Sequence, residues 1–352
     1  NLTNTADWEI GKWITAQMPG DQITANGTVL IDDSSVSISD TLEIGDADSV
    51  DPLSQVESTI AMNLVNNSSI IVGNNIDIGE GSYSEGGQAI ENYTLSLSDS
   101  SISALGNITL STPYHENSAV VQSEVSVVLD NSSLNIGGEA TLGSLDPADY
   151  QPGQDYARAD IDMIDSHFKI LGNAMIAVDE AEAEIDLNPS LLEIGGTATL
   201  GTKTTLTMHV EGTTRASESN LGSGDLYAAV DVADATLDGT LEVVFDLTPA
   251  GTHSYDLIIS GAQNDFGATD FSTTNVQGLA GGATVDFFGK TTDDFGSGTV
   301  DVYRITVTGP DPTPTPTPGP QQIPSTGPVG IGLLLLALGG LMGFGSVRKR
   351  RK

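Results

Sequence analysis

The sequence predicts an all-β fold: a right-handed parallel β-helix, or solenoid, with an irregular C-terminal cap, a Pro-rich linker and one C-terminal transmembrane helix. Three observations lead to this expectation. A motif recurs about every 33 residues, its apolar residues alternate with polar ones, and the chain ends in a Pro/Thr spacer, an uncharged apolar run and a basic cluster. Alternation with period two is typical of strands that bury one face.

The repeat is clearest in two segments, DNSSLNIGGEATLG at 130–143 and NPSLLEIGGTATLG at 188–201. Serine pairs, the last one degenerate, set origins 32 or 34 residues apart: Ser34, Ser68, Ser100, Ser132 and Ser166. In three copies, apolar residues follow two, four, eight and ten positions later: Val36, Ile38, Leu42 and Ile44; Ile70, Val72, Ile76 and Ile78; Leu134, Ile136, Ala140 and Leu142. Two more apolar residues precede each pair, although in the second copy (Met62, Leu64) they are displaced by one.

Each repeat therefore predicts three short strands joined by two sharp corners. Asn, Asp, Ser and Gly at the joints tolerate tight and left-handed backbone. One repeat cannot bury its apolar row alone, so we expect stacked repeats with Val36, Ile70 and Leu134 in one file. Asn67 and Asn131 are expected to stack at a corner. A β-sandwich of short strands is the alternative, since turn signals every ~8–12 residues also fit it.

The repeat and the composition together divide the chain. Three stretches between repeats, 82–92, 111–120 and 144–160, are expected to be loops projecting from one edge. The predicted divisions are an N-terminal segment or cap (1–27), β-helix repeats (28–201), terminal turns and a β cap (202–309), a Pro/Thr-rich linker (310–322) and a C-terminal signal (323–352) with a transmembrane helix at 329–347.

The C-terminal tail has three consecutive parts. Alternating prolines in PDPTPTPTPGP (310–320) predict an extended spacer. The run from Val329 to Val347 has 19 uncharged residues, enough for a helix of roughly 28 Å that crosses a bilayer core. The five terminal basic residues stop the span and predict a cytoplasmic C-terminus with residues 1–328 outside: Arg348, Lys349, Arg350, Arg351 and Lys352. An ordinary single-pass anchor is the alternative.

A short motif after the spacer, the apolar run and the terminal basic cluster together resemble a bacterial tripartite cell-surface sorting signal. The motif Ile323, Pro324, Ser325, Thr326, Gly327 differs from the sortase pattern LPxTG by Ile in place of Leu. The resemblance implies cleavage between Thr326 and Gly327 by a sortase. The same tail is similar to exosortase signals of the PEP-CTERM and IPTL kinds, although it lacks the Pro-Glu-Pro of the first and the Ser-Glu-Trp-Gly of the second. The choice between the two processing enzymes stays open.

A second resemblance covers roughly residues 28–310. The segments IGGTATLG, LDGTLEVVF and HSYDLIISG are similar to autotransporter passenger repeats and to PEP-CTERM-anchored β-helix proteins. No segment resembles a translocator barrel. Together the two resemblances imply a protein of the bacterial cell envelope, exposed on the extracellular surface. The chain opens at Asn1 without a secretory leader, so either a leader has been removed or the N-terminus is missing.

Charge excludes nucleic acid as a partner. The net charge is −36, and all 48 acidic residues but only seven of the 12 basic ones precede residue 348. Phosphate binding needs cations, which this surface lacks. A solvated acidic surface is expected, with divalent-cation uptake as the alternative. The absence of cysteine excludes disulfides and Cys-based zinc sites.

Catalytic motifs are not found in the sequence. The four histidines show no metal-ligand spacing, and neither a nucleophile elbow nor a phosphate loop occurs. Asp160 and Asp162 share one strand face, a pairing that a glycoside hydrolase uses and that any acidic face also produces. Oxygen-rich turns with Asp46, Asp48 and Asp51, or with Asp293 and Asp294, are weak Ca²⁺ candidates because they lack the known loop patterns. No other cofactor is expected.

The predicted function is that of a non-enzymatic cell-surface protein, either adhesin-like or a matrix component, that is displayed by its C-terminal signal. Candidate partners are the processing enzyme, the membrane, and an extracellular polysaccharide or neighbouring surface. Two alternatives stay open: a carbohydrate-active β-helix enzyme (polysaccharide lyase or glycoside hydrolase), and a purely structural surface-layer component.

Overall fold

A computed structural model describes residues 2–310, except residues 5, 12, 13, 17, 19, 46, 50–52, 85, 86, 116–119, 146–154 and 295–297. Every regular element in these residues is a strand. In chain order the strands are β1 (Leu2–Asn4), β2 (Trp8–Ile10), β3 (Ile14–Ala16), β4 (Gln22–Asp32), β5 (Ser35–Ile38), β6 (Leu42–Ile44), β7 (Ala47–Ser49), β8 (Gln55–Val65), β9 (Ser69–Val72), β10 (Ile76–Ser84), β11 (Gln88–Ser98), β12 (Ser101–Ala104), β13 (Ile108–His115), β14 (Val120–Asp130), β15 (Ser133–Ile136), β16 (Ala140–Ser144), β17 (Tyr156–Ile164), β18 (His167–Ile170), β19 (Ala174–Val178), β20 (Glu182–Asn188), β21 (Leu191–Leu200), β22 (Thr204–Val210), β23 (Thr214–Arg215), β24 (Leu226–Tyr227), β25 (Ala229–Thr236), β26 (Thr240–Phe245), β27 (Gly251–Ile259), β28 (Thr273–Gln277), β29 (Thr284–Asp294) and β30 (Thr299–Gly309).

Equivalent strands pair in parallel from one repeat to the next. β11, for example, pairs with β14 from Gln88 to Ser98 and with β8 from Gln88 to Leu97, without a shift of register. The result is a parallel β-solenoid of about seven turns. The predicted solenoid is confirmed and the β-sandwich alternative is wrong, because a sandwich of this kind is built from antiparallel strands.

Each turn contributes to three faces, which we name by their strands. The long-strand face contains β4, β8, β11, β14, β17, β20, β22, β26 and β28. The short-strand face contains β1, β5, β9, β12, β15, β18 and the first halves of β21 and β25. The third face contains β2, β6, β10, β13, β16, β19 and the second halves of β21 and β25.

The core is a set of aliphatic files that run through successive turns. Val36, Ile70 and Leu134 lie in one file, as predicted, with Ile102 between the last two. The file continues through Phe168, Leu192, Val230 and Ile258. All of these residues are buried. Full burial of an aliphatic side chain contributes about 1.5–3 kcal/mol, so stacking stabilises each turn through its neighbours.

The two similar segments, 130–143 and 188–201, form equivalent parts of two different turns of the solenoid. Leu134 in the first segment and Leu192 in the second are both register partners of Phe168, which belongs to the turn between them. The segments therefore lie two turns apart on the same side of the solenoid. Repetition in the sequence serves the architecture, since equivalent positions must supply equivalent inward side chains.

The corner between the long-strand and short-strand faces, named the serine corner, is built from Ser34, Ser68, Ser100, Ser132, Ser166 and Ser190. The residue before five of these serines has positive φ: Asp33, Asn67, Asp99, Asn131 and Asp165. Asn and Asp tolerate this left-handed backbone better than other non-glycine residues. In these five turns a left-handed residue directly before the serine bends the chain sharply.

Hydrogen bonds between turns close the serine corner. The Ser132 hydroxyl donates to the Asp130 carbonyl at 2.7 Å and accepts the Ser100 N–H at 3.0 Å. One turn on, the Ser166 hydroxyl accepts the Ser132 N–H at 3.0 Å. Outside this ladder, the Asn131 side-chain amide donates to the Asp99 carboxylate at 2.5 Å. The predicted stacking of Asn67 and Asn131 at this corner is confirmed, with Asp99 between them. The Asn131 side chain lies on that of Asp99, and the Asn67 backbone N–H donates to the Asp99 carbonyl at 2.9 Å.

The second corner, between the short-strand and third faces, is closed by side-chain amides. Asn75 accepts the Asn107 N–H at 2.9 Å, and Asn107 accepts the Glu139 N–H at 2.8 Å. Position 138 requires glycine because the neighbouring turn approaches it closely. A Cβ on Gly138 would lie 2.2 Å from the Asn107 side-chain oxygen and 2.8 Å from the Gly106 carbonyl oxygen.

The displaced second repeat keeps its register by enlarging a corner. Met62 and Leu64 pair with Val29 and Ile31, the expected partners. The extra residue is taken up after β8, where Asn66 and Asn67 both have positive φ. A one-residue slip inside a strand would have exchanged the buried and exposed faces.

The expectation of loops at 82–92, 111–120 and 144–160 is wrong in their described parts. β10 continues to Ser84, β13 continues to His115, and β11, β14 and β17 begin inside these stretches. Pairing with the neighbouring turn, as between Ser84 and His115, holds polar residues in strand conformation. Residues 85, 86, 116–119 and 146–154 lie outside the described residues.

The C-terminal end departs from the repeat. β22 and β25 are separated by an excursion, residues 211–228, that contains β23 and β24. β30 then pairs antiparallel with both β27 and β29. Aromatic rings fill this end: Tyr255 makes edge-on contacts with Tyr227 and Phe245, and Tyr303 with Phe271 and Phe288. Residues up to Pro310 form one compact unit.

Across the residues that the structure describes, none forms a helix long and apolar enough for a bilayer. The predicted transmembrane helix at 329–347 and linker residues 311–322 lie outside those residues.

Candidate functional site

Most of the predicted site residues lie outside the residues that the structure describes. The sorting motif (Ile323, Pro324, Ser325, Thr326, Gly327) and the basic cluster (Arg348, Lys349, Arg350, Arg351, Lys352) lie beyond Pro310. Of the first Ca²⁺ candidates, Asp46 and Asp51 are outside the described residues. Asp48 lies in β7, but its side chain is not described.

In the second Ca²⁺ candidate, Asp293 forms a contact that joins strands of the fold. Asp293, in β29, forms an ion pair with Arg304, and this hydrogen bond holds the pKa of Asp293 below its usual value. Arg304 also binds Asp256 at 2.5 Å, which joins β27, β29 and β30. Within the described ranges, no three His, Asp or Glu side chains come together as a metal site requires.

The carboxylate pair Asp160 and Asp162 lies on the outer side of β17, as the period of the strand requires. Arg158 bonds to Asp160 at 2.5 Å and to Glu184, on the next turn, at 2.6 Å. Burial, followed by the charges of Asp186 and Asp160, raises the pKa of Asp162. The two carboxylates therefore differ in their environments: Asp160 is paired with a cation, whereas Asp162 is partly desolvated beside two other carboxylates.

The described histidine side chains bond to neighbouring groups. His209 lies 3.3 Å from Asp186 and 2.7 Å from Asp246, carboxylates that precede and follow it along the solenoid. Its hydrogen bonds to Asp186 and Asp246 raise the pKa of His209 to about 9. His167 lies 3.2 Å from Glu193, which also binds Lys169 at 2.8 Å. On the outer faces, these two histidines are therefore paired with carboxylates of their own or neighbouring turns.

A polar groove of about 450 Å³ runs along the serine corner. This volume falls within the ~300–1,000 Å³ typical of small-molecule sites. The groove, here called the corner groove, is lined by Asn67, Ser68, Asp99, Ser100, Ser101, Asn131, Ser132, Ser133, Asn135, Asp165, His167, Glu218 and Leu221.

Two parts of the fold supply this lining. The floor comes from equivalent positions of successive turns, namely the corner residues and the outward-facing side chains of β12, β15 and β18. One wall comes from the excursion 211–228, through Glu218 and Leu221. The groove therefore presents the same polar groups repeatedly, at the spacing of one turn.

The excursion is fixed to the solenoid at its base. Arg215 donates to the carbonyl oxygens of Asp256 and Val230, each at 2.9 Å, and pairs with Asp231 at 2.7 Å. Ala216 and Leu226 pack with Leu191 and Ala229 in a small buried cluster, against which Leu221 rests. A buried anchor of this kind holds Glu218 and Leu221 in place beside the floor.

Sequence reasoning missed the corner groove. The floor residues were assigned to corner chemistry, and the excursion was included among the irregular terminal turns. The available signal was the loss of the repeat after residue 201 together with the polar stretch GTTRASESNLGSGD at 212–225. No sequence pattern placed this stretch back over turns that precede it by about 50–150 residues.

The fold and the groove define a class: an acidic parallel β-solenoid with a polar groove along one corner. The chain matches no family model, no curated protein and no solved structure.

Proposed function

We propose that this chain is a non-enzymatic bacterial cell-surface protein, adhesin-like or part of an extracellular matrix, that is displayed by its C-terminal sorting signal. In this proposal a right-handed solenoid is held away from the envelope and presents its outer faces to an extracellular polysaccharide or a neighbouring surface. The membrane-anchored precursor has its N-terminal part outside and its C-terminus in the cytoplasm.

One observation carries the proposal. The compact unit ends at Pro310, immediately after β30, and the alternating prolines begin at that position. A Pro-rich spacer is stiff and extends by about 3.1 Å per residue, so residues 310–320 would hold the solenoid roughly 30 Å from its attachment point. A compact unit, a spacer and a three-part signal in this order suit display.

The processing step follows from the tail. A helix at 329–347 would hold the chain in the membrane while Arg348 to Lys352 stop its transfer. Cleavage between Thr326 and Gly327 would then join Thr326 to a surface acceptor. Both a sortase and an exosortase fit, through the LPxTG-like and PEP-CTERM-like features of Ile323–Gly327.

A carbohydrate-active enzyme is the alternative, and the raised pKa of Asp162 beside Asp160 is the observation that supports it. Hydrolysis of a glycoside requires a protonated and an ionised carboxyl group about 5–10 Å apart. Against this role, Arg158 holds Asp160 from the same strand face. Polysaccharide turnover that disappears in Asp162→Asn would favour the enzyme.

The sorting step can be tested by fractionating cells that express the full chain. We expect deletion of Ile323–Gly327 to move the protein from the surface fraction to the membrane or the medium. Deletion of Thr313–Thr317, five spacer residues, is the matched control and leaves surface attachment intact. Parallel expression in hosts with a sortase and with an exosortase distinguishes the enzymes. Unchanged surface retention after the first deletion contradicts the proposal.

A further inference from the structure

We infer that the corner groove binds a neutral polysaccharide chain that lies along the solenoid axis. The inference deepens the proposed surface function and rests on it for its biological setting. The groove extends over the turns that contain Asn67, Asp99, Asn131 and Asp165. Successive parallel strands lie about 4.8 Å apart, so these four turns offer roughly 14 Å of equivalent polar groups.

Periodicity selects a polymer as the ligand. A pyranose unit in an extended glycan advances by nearly the same distance as one strand-to-strand step. Successive sugars can therefore meet equivalent, partly exposed groups on successive turns, first at Ser101 and then at Ser133 and Asn135. A compact ligand would use only one of these positions and leave the others to water.

The chemistry of the groove lining favours a ligand that is rich in hydroxyl groups. The corner hydroxyls, such as that of Ser132, are buried and bond within the corner. The partly exposed side chains of Ser101, Ser133 and Asn135 both donate and accept hydrogen bonds, whereas the carboxylates only accept them. Sugar hydroxyls combine donor and acceptor in the same way, so each can be satisfied by this set. Leu221, packed on the buried base of the excursion, offers an apolar surface for the carbon-bound face of a sugar ring.

Charge favours a neutral chain over an anionic one. Asp99, Asp165 and Glu218 all line the groove, in a chain of net charge −36. Uronic acids and phosphate-bearing chains would place like charges beside these carboxylates, which costs free energy.

The backbone argues against an extended peptide. Strand addition requires unpaired N–H and C=O groups at a sheet edge. At the floor these groups are used between turns, since Ser101 N–H donates to Ser68 at 3.0 Å and Ser133 N–H donates to Ser100 at 3.1 Å. A peptide could only bind through side chains, and a cationic one is then the competing ligand.

The test uses purified residues 1–310, which form one compact unit, in calorimetric titrations. The probes are soluble neutral β- and α-linked glucans, a polyuronate and oligolysine. We expect saturable binding of a neutral glucan that resists 0.5 M salt, and about threefold to tenfold weaker binding in Asn135→Ala and in Glu218→Ala, each of which removes a hydrogen-bonding group. Binding of the polyuronate is expected to be weaker than that of the glucan.

The matched controls lie on the long-strand face. Asn92→Ala and Glu57→Ala remove the same side chains from exposed positions outside the groove and leave the affinity unchanged. Equal loss in groove and control variants, absence of neutral-glucan binding, or salt-sensitive binding of oligolysine alone overturns the inference. Because the fragment lacks the tail, failure here is independent of the sorting experiment.

Discussion

Single residues decide where each turn bends and which charges it carries outside. Asn131 and Asp165 accept positive φ, and the serine that follows each of them satisfies backbone groups of two turns. Since an unsatisfied buried polar group costs about 1–3 kcal/mol, a corner needs both features at once. This requirement explains the recurrence of Asp/Asn-Ser in the sequence.

His209 is expected to make stability depend on pH. Its pKa is raised to about 9 by Asp186 and Asp246, whereas an unfolded histidine titrates near 6.5. Because the folded pKa is the higher one, the stabilisation is fully present below about pH 6.5 and is lost as pH rises through about 9. Asp186 and Asp246 are 36% and 45% exposed, so solvent screening reduces the contribution to about 1–2 kcal/mol.

Urea denaturation at pH 6 and pH 10 measures this effect. The difference in unfolding free energy between the wild type and His209→Gln is expected to be larger at pH 6 than at pH 10. His253→Gln is the control, because the His253 ring bonds to the Ala250 carbonyl and not to a carboxylate. Equal differences for His209→Gln at both pH values would contradict the assignment.

At the scale of elements, the spacing of stacked corners limits side-chain size. Residues at the second corner donate N–H groups to the carbonyl of the preceding turn, as Gly138 does to Gly106 at 2.8 Å and Gly172 to Gly138 at 2.8 Å. At Gly138 there is no room for a Cβ, because it would lie 2.2 Å from the Asn107 side-chain oxygen and 2.8 Å from the Gly106 carbonyl oxygen. The Gly-Gly pairs of the sequence therefore belong to the contact between elements and not to the flexibility of one turn.

Gly138→Ala tests this packing. The new Cβ would displace the Asn107 side chain, which accepts the Glu139 N–H, and the expected cost is about 1–3 kcal/mol. Gly281→Ala is the control, because nothing lies within 4 Å of its Cβ and a slight stabilisation is expected. The measurement is the melting temperature of each variant in thermal unfolding. Equal melting temperatures would show that the corner relaxes freely.

At the scale of the whole molecule, the aliphatic files join the turns into one structure. Leu134 packs in register with Ile102 on one side and Phe168 on the other, and the same holds along the file. A solenoid gains stability from nearest-neighbour interfaces, so a defect in one turn affects the adjacent interfaces.

Leu134→Ala should lower the free energy of unfolding by about 2–5 kcal/mol, because Leu134 is fully buried and leaves a cavity. Leu105→Ala, at a position that is 75% exposed, is the control and should change it by no more than about 0.5 kcal/mol. Circular dichroism and tryptophan fluorescence during urea unfolding give the measurement. Trp8 lies four turns away in β2. A shift seen by dichroism but not by fluorescence would show that the turns unfold separately.

The sequence by itself determined the solenoid, the inward files and the corners. Period-two apolar residues such as Val36 and Ile38, with Asn or Asp before each serine, express local rules that hold in every turn. It also determined the order of spacer, apolar run and basic cluster in the tail, on which the display proposal depends. Local patterns suffice for these features because each turn repeats the same contacts with its neighbours.

Only the tertiary structure decided the corner groove and the strands within the expected loops. Ser84 and Gln88 are strand residues because the next turn pairs with them, and no local pattern shows that. Glu218 and Leu221 reach the groove because Arg215 anchors the excursion to Val230 and Asp256. Contacts between residues so distant in sequence leave no periodic signal, and they appear only when the chain has folded.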